Sequence, residues 1–267
     1  MKEILVRTGS GILYISIIIF SMFASREWFL ALFFILGTIT LYEFLRLLHL
    51  KKYLVYPVLG AGIYFLSYEA FNTIAIHVFL IAVLAVNLML IKDTLWIRKS
   101  SIFEKNKYIP IIFYLIGGFI FLTLIPYRNE IFEHEIIIGV FVLVWANDTF
   151  AYIIGSRFGK HKLLKRVSPK KTVEGFLGGL IGSIIASFII FNYSQVFTEI
   201  IWVVLAILIS VFGTTGDLIQ SKFKRLAGVK DSGILMPGHG GLYDRLDSIL
   251  FASPFVYTFL KIVDYVS

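Results

Sequence analysis

Long apolar runs, each broken by a short polar stretch, recur along the whole chain. Runs free or nearly free of charge cover 8–25, 28–45, 53–71, 73–91, 108–127, 136–155, 173–191, 199–219 and 246–266. Crossing the roughly 30 Å hydrocarbon layer takes about 20 residues of helix, so this pattern predicts about nine transmembrane helices. Two runs are the most polar: 53–71 carries Pro57 and Glu69, and 136–155 carries Asn147 and Asp148. The run at 8–25, between Arg7 and Arg26, has the length of a signal peptide. Met22-Phe23-Ala24-Ser25 offers no clear small-x-small cleavage site and further spans follow at once, so it is expected to stay as the first helix.

Composition points the same way. The 267 residues are 58% hydrophobic and 16% charged, whereas soluble domains are about 25% charged, and the mean hydropathy is +0.85. A single all-α, polytopic membrane domain over 1–267 accounts for the length. Within it, 1–130 is expected to be a lipid-facing or dimer scaffold and 131–267 to carry the chemistry. The absence of cysteine excludes disulfides, thiolate nucleophiles and cysteine-bound zinc, and the five histidines lack zinc-ligand spacing.

Lys and Arg set the orientation. The N-terminus and the segments 46–52, 92–107, 156–172 and 220–245 hold 22 of them, and only Arg26, Arg128 and Lys261 fall on the other side. The positive-inside rule therefore puts the N-terminus and these segments in the cytoplasm, in a cell membrane, with an odd number of helices. The net charge of +8 is a one-sided basic face suited to anionic headgroups and not a nucleic-acid footprint. Gly175, Gly178, Gly179 and Gly182 give the seventh run a face for close helix packing, within the chain or across a dimer.

Acids inside such runs are costly and tend to mark a site. Asp148 lies within the sixth run, Asp217 at the end of the eighth, and Asp244 and Asp247 open the ninth. Asp244 and Asp247 also suit simple helix capping, and Asp148 a pairing with a nearby Lys or Arg. Asp217, read at a helix C-terminus, is disfavoured by the dipole unless a cation sits beside it. An oxygen-only set of aspartates suits a hard ion such as Mg²⁺, which is normally shared with substrate phosphates. Ser168-Pro169-Lys170-Lys171-Thr172-Val173-Glu174-Gly175 puts two lysines at a helix N-terminus, either as an anion site or as a cytoplasmic anchor capped by Thr172. Residues 220–245 add Lys222, Lys224, Arg225 and Lys230, then Gly238, Gly240 and Gly241, whose backbone can approach phosphate closely. Walker A, Rossmann, G-x-S-x-G and H-E-x-x-H patterns are absent.

Ser221-x-Phe223-Lys224-Arg225-x4-Lys230-Asp231-x-Gly233-x2-Met236-Pro237-x-His239-Gly240-Gly241-Leu242-x-Asp244-Arg245-Leu246-Asp247 closely resembles the signature of the phosphatidate cytidylyltransferases, the CDP-diacylglycerol synthases. Met236 departs mildly, standing where Leu, Ile or Phe is expected. The resemblance extends upstream to Asn147-Asp148-Thr149, Gly155-Ser156-x-Phe158-Gly159-Lys160, Ser168–Gly175 and Gly216-Asp217-Leu218. It implies a Mg²⁺-dependent, homodimeric enzyme that makes CDP-diacylglycerol and pyrophosphate from CTP and phosphatidate. It also implies a metal site of Asp217 and Asp244 with Asp247 close by, and a potassium ion as a possible companion.

On that expectation Lys170, Lys171, Lys224, Arg225 and Arg245 bind phosphate oxygens, and His239 donates to a phosphate or orders its loop. Ser168, Thr172, Glu174, Asn147, Asp148, Lys230 and Asp231 complete the substrate surroundings. Competing readings are a related CTP-using lipid enzyme, such as a CDP-archaeol synthase or a polyprenol kinase, and, less favoured, an ion-coupled transporter. The transporter predicts inverted repeats and midplane acids, neither of which the sequence offers. A structural lipid-binding protein is a third alternative, which nucleotide binding would separate.

Overall fold

The computed structural model describes residues 2–51, 53–69, 72–96, 106–128, 130–194, 196–233, 235 and 240–266, with side chains from residue 9 onward. Each of the nine apolar runs is helical over most of its described length. They form α1 (Lys2–Ala24), α2 (Arg26–Leu47), α3 (Val55–Gly62, continued by π-helical Ile63–Tyr68), α4 (Thr73–Leu95), π-helical Pro110–Ile116 leading into α5 (Gly117–Leu124), α6 (His134–Phe158), α7 (Val173–Tyr193), α8 (Glu199–Leu226) and α9 (Tyr243–Val266). Among the described residues six of these, α2, α4, α6, α7, α8 and α9, are long and apolar enough to cross a membrane. Gly9–Ala24, Val55–Tyr68 and Pro110–Leu124 are shorter. The chain is thus a helical membrane protein with six candidate crossings among the described residues. Every residue of α5 is buried, so this short helix is surrounded by protein and need not match the bilayer.

Helix starts follow local chemistry. The Ser25 side chain accepts from Trp28 N at α2, Asn72 accepts from Ile74 N and Ala75 N at α4, and Thr172 accepts from Gly175 N at α7. Several helices run past the charge-free windows: α8 continues to Leu226, seven residues beyond the expected end, and α9 begins at Tyr243. Charge-free windows stop at the first polar residue, whereas a helix continues into the headgroup region, where polar side chains are solvated. Two small antiparallel hairpins depart from the purely helical expectation. One pairs β1 (Tyr127–Arg128) with β2 (Ile131–Phe132), and the other pairs β3 (Lys162–Leu164) with β4 (Ser168–Thr172).

The glycine face of α7 is used within the chain, against α6. A Cβ at Gly178 would stand 2.6 Å from Ile154, one at Gly179 would stand 2.7 Å from Asn147 Oδ1, and one at Gly182 would collide with Phe150. The opposite face of α7 leaves Leu177, Ile181, Ile185 and Phe188 exposed, as lipid contact requires. Gly216 brings α8 equally close to α9, where an added Cβ would meet Asp247 O at 2.8 Å. Under this end lies an aromatic cluster in which Phe44 packs on Phe223 and Tyr243 at 5.2 and 5.4 Å, while the buried hydroxyls of Tyr114 and Tyr243 meet at 2.9 Å.

The far end of the bundle is about 30 Å away, judging from the rise of α9 between Asp244 and Asp264. The three basic residues assigned there by sequence are all engaged. Arg26 donates to Ser67 O and Tyr68 O and lies over Tyr127, Arg128 pairs with Asp264, and Lys261 reaches the same carboxylate.

At the α5–α9 contact Gly118 faces the Leu250 carbonyl oxygen, 2.6 Å from where a Cβ would sit, while Ser253 Oγ donates to Gly118 O at 2.7 Å. Gly118→Ala is therefore expected to cost ~1–3 kcal/mol by overpacking, read as a fall of several degrees in the melting temperature in detergent. Gly9→Ala, with nothing within 4 Å, should cause no such fall.

Candidate active site

The α8–α9 contact at Gly216 puts Asp217 and Asp247 side by side at one end of the bundle. Asp217 does not lie at a helix C-terminus as its run suggested. It sits nine residues before Leu226, inside α8, so the argument from the helix dipole does not apply to it. Its charge is met by the ammonium of Lys171, delivered by β4, and the Ser221 hydroxyl one turn on lies 3.5 Å from it. Asp247 is 8% exposed, accepts from Ser248 N, and stands in the field of Asp217, Asp148, Lys224 and Lys171. Asp148, on α6, shares the fields of Asp217, Lys171 and Arg245, and Asn147 Nδ2 approaches it at 3.4 Å. Asn147 Oδ1 is buried with no hydrogen-bond partner among the described residues.

Asp244, in the first turn of α9, is the most heavily bonded carboxylate of the group. Its Oδ1 accepts from Lys224 Nζ at 2.7 Å and Gln220 Nε2 at 2.9 Å, and its Oδ2 accepts from Ser232 N at 2.9 Å and Gly241 N at 3.0 Å, with the Ser232 hydroxyl 2.9 Å away. The bond back to Gly241 N, three residues earlier, is the acidic half of a capping box, so capping and site-building coincide in this residue. The adjacent Ser232 hydroxyl also reaches Glu43 Oε2 at 3.1 Å. Glu43, buried on α2, joins this network and was not among the residues expected there. The local pattern suggests an i,i+3 pair with Arg46, yet Arg46 is exposed and Glu43 lies on the buried face with Leu36, Thr40 and Leu47. That shared face was the available signal. Tyr14 of α1 was missed too; its buried hydroxyl has no hydrogen-bond partner among the described residues and lies in the field of Arg245 and Asp247.

The β3–β4 hairpin presents the lysine pair. Thr172 caps α7 as its sequence suggested, and the Glu174 carboxylate accepts from Lys160 N and His161 N and meets His161 Nδ1 at 2.6 Å, closing the turn after α6. Arg166 ties the hairpin to Thr94 O at the end of α4. Lys171 turns inward to Asp217, whereas Lys170 and Arg245 are exposed and Ser168 is half-buried. Lys230 and Asp231 are exposed beyond α8, and Arg225 closes the end of that helix by donating to Val229 O. His239 lies outside the described residues.

Among the described residues, no three carboxylate or histidine side chains are gathered into a ready metal cage. The donor chemistry nevertheless fits a hard divalent ion. Asp148, Asp217, Asp244 and Asp247 lie among Lys171, Lys224 and Arg245 at one end of the bundle. Carboxylate oxygens brought together from packed helices suit Mg²⁺ held jointly with phosphate oxygens.

The cytidylyltransferase family profile matches residues 5–263. The phosphatidate cytidylyltransferase of Bacillus subtilis (strain 168) is 33% identical over 269 residues, 98% of this chain and 99% of its own length. Phosphatidate cytidylyltransferases of Staphylococcus saprophyticus and Staphylococcus haemolyticus are 47% identical over 139 residues and 50% identical over 120. These stretches are 51% and 44% of this chain and 52% and 46% of the relatives.

Because Glu174 holds the turn before the hairpin, Glu174→Ala should loosen residues 160–172. Limited trypsin digestion is expected to cut at Lys160, Lys162, Lys165 and Arg166 several times faster than in the parent. Equal cleavage rates would show that the carboxylate does not hold this segment.

Proposed function

The chain belongs to the cytidylyltransferase family, and from that membership we infer that it transfers the cytidylyl group of CTP to phosphatidate, giving CDP-diacylglycerol and pyrophosphate for phospholipid synthesis. The observation that carries this reading to the level of residues is the meeting of Asp148, Asp217, Asp244 and Asp247 with Lys171, Lys224 and Arg245 at one end of an apolar bundle. Such a cluster is what a reaction between two phosphate-bearing substrates needs.

A phosphatidate oxygen attacks the α-phosphorus of CTP. The new bond links the two phosphorus atoms through that oxygen, while the bond from the α-phosphorus to the bridging oxygen breaks and pyrophosphate leaves with those electrons. The attacking phosphomonoester has a second pKa near 6 and is largely a dianion at neutral pH, so no strong general base is required. The work of the protein is positioning and charge neutralisation. Lys171 and Lys224 are already held at the aspartates and bind phosphate oxygens. Lys170, Arg225 and Arg245, exposed around the same end, add positive charge for the triphosphate. Ser168, Thr172, Glu174, Asn147, Lys230 and Asp231 shape and hold the surrounding loops, and His239 donates to a phosphate. Asp217, Asp244 and Asp247 would hold Mg²⁺, with K⁺ as a possible companion ion. When bound, the metal supplies neutralisation of the nucleotide phosphates.

We further propose that the three shorter apolar segments complete nine crossings of the cell membrane, with the N-terminus and the aspartates on the cytoplasmic side. The 22-to-3 distribution of Lys and Arg supports this orientation. The enzyme acts as a homodimer. Since the glycine face of α7 is filled by α6, the dimer uses another surface.

Asp217→Asn and Asp244→Asn are each expected to lower kcat about 100-fold or more, roughly 2.7 kcal/mol of barrier. The assay is CTP-dependent CDP-diacylglycerol formation across a range of Mg²⁺ concentrations, and full activity in both variants would overturn the metal assignment. Sidedness is read by single-cysteine labelling, since the chain has no native cysteine. Lys165→Cys should react with an impermeant thiol reagent only from the cytoplasmic side and Glu130→Cys only from the opposite side; the reverse pattern would invert the topology.

A further inference from the structure

Glu43 lies on α2, about 200 residues from Asp244 and Asp247 in sequence, yet it is 5% exposed and hydrogen-bonded to the residues that lead into α9. Its Oε1 accepts from Leu242 N at 3.1 Å, and its Oε2 accepts from Tyr243 N at 2.9 Å and from Ser232 Oγ at 3.1 Å. All of these donors are neutral. Two are backbone N–H groups at the start of α9, where a carboxylate meets the positive end of the helix. The third, the Ser232 hydroxyl, stands 2.9 Å from Asp244 Oδ2. One serine thus bridges the carboxylate of α2 to the carboxylate of α9.

The loop is shaped around this group. A side chain at Gly233 or at Gly241 would collide with the Glu43 carboxylate. The next residue, Phe44, packs on Tyr243 and Phe223, which flank Asp244 and Lys224 in sequence. Asp244 reaches back only to Gly241 N, and Glu43 takes the next two N–H groups. What Glu43 adds is an anchor from a different helix, fixing the height and rotation at which α9 presents Asp244 and Asp247.

We propose that Glu43 is a positioning residue for cytidylyl transfer: by holding Ser232, Leu242 and Tyr243, it sets the first turn of α9 so that Asp244 and Asp247 can hold a divalent cation against the nucleotide. The proposal rests on the function inferred above. It assigns a role in the reaction to the second helix.

The test uses the full-length protein in lipid nanodiscs, as parent, Glu43→Gln and Ser232→Ala. Glutamine keeps the size of the side chain but directs an amide NH₂ where an acceptor is needed. Hydrogen exchange of the 232–243 segment, melting temperature, kcat, phosphatidate KM and half-saturating Mg²⁺ are measured together. In Glu43→Gln the amides of 242–243 should exchange at least about tenfold faster, half-saturating Mg²⁺ should rise about tenfold, kcat should fall about tenfold, and phosphatidate KM should stay within twofold. Ser232→Ala should move the same quantities in the same direction by about threefold, keeping the proposal testable if Glu43→Gln does not fold. Unchanged exchange at 232–243 overturns the anchoring. Faster exchange, or a lower melting temperature, with parental kcat and Mg²⁺ dependence reduces Glu43 to a stability residue and overturns the positioning role. A parent that makes no CDP-diacylglycerol overturns the function instead, and the exchange measurement then still decides whether Glu43 anchors the loop.

Discussion

Carboxylate charge held inside an apolar helix bundle is the constraint on which the rest of this structure depends. Asp247 is buried and Asp217 and Asp244 are half-buried, and an ionised group in such surroundings is tolerated only with partners supplied. The fold supplies them from distant elements: Lys171 from a hairpin for Asp217, Lys224 and the Ser232 loop for Asp244, and α9's own first turn for Glu43. These requirements explain features that apolar packing does not. The hairpin is tied down at Thr94 and at Glu174, glycines occur wherever a backbone must come close, and the loop before α9 wraps a buried acid.

The two ends of the bundle solve charge in different ways. At the far end Arg26, Arg128 and Lys261 are spent on carbonyl oxygens, aromatic faces and Asp264. At the site end Lys171 and Lys224 pair with Asp217 and Asp244, and Lys170, Arg225 and Arg245 stand exposed around them. The cations of one end thus serve the fold, while those of the other are placed to meet charged ligands.

The helices were legible in the sequence because hydrophobic runs of span length have few alternatives. Their ends were not, because a charge-free window stops where a helix such as α8 merely enters the headgroup region. That error also gave the wrong reason for singling out Asp217: the residue lies within α8, half-buried and paired with Lys171, and does not end a helix. The aspartates and lysines of the site were visible through their motif and their chemistry. The β3–β4 hairpin was hidden because its pairing is backbone to backbone over a few polar residues that also read as a basic loop. Glu43 was hidden because its partners come from residues 232, 242 and 243, and no local pattern encodes a contact across such a distance.

That distance has a consequence for how the protein is made. Leu242 follows Glu43 by 199 residues, so at roughly 5–20 residues per second its amide leaves the ribosome about 10–40 s after the acid. While the first helices enter the bilayer, none of the donors that later hold this carboxylate has been synthesised. Glu43 lies one turn from the end of α2, near enough to the boundary for water and headgroups to serve it in the interval. The last helix therefore does more than add a final span: its arrival replaces that temporary solvation and closes the buried polar network of the molecule.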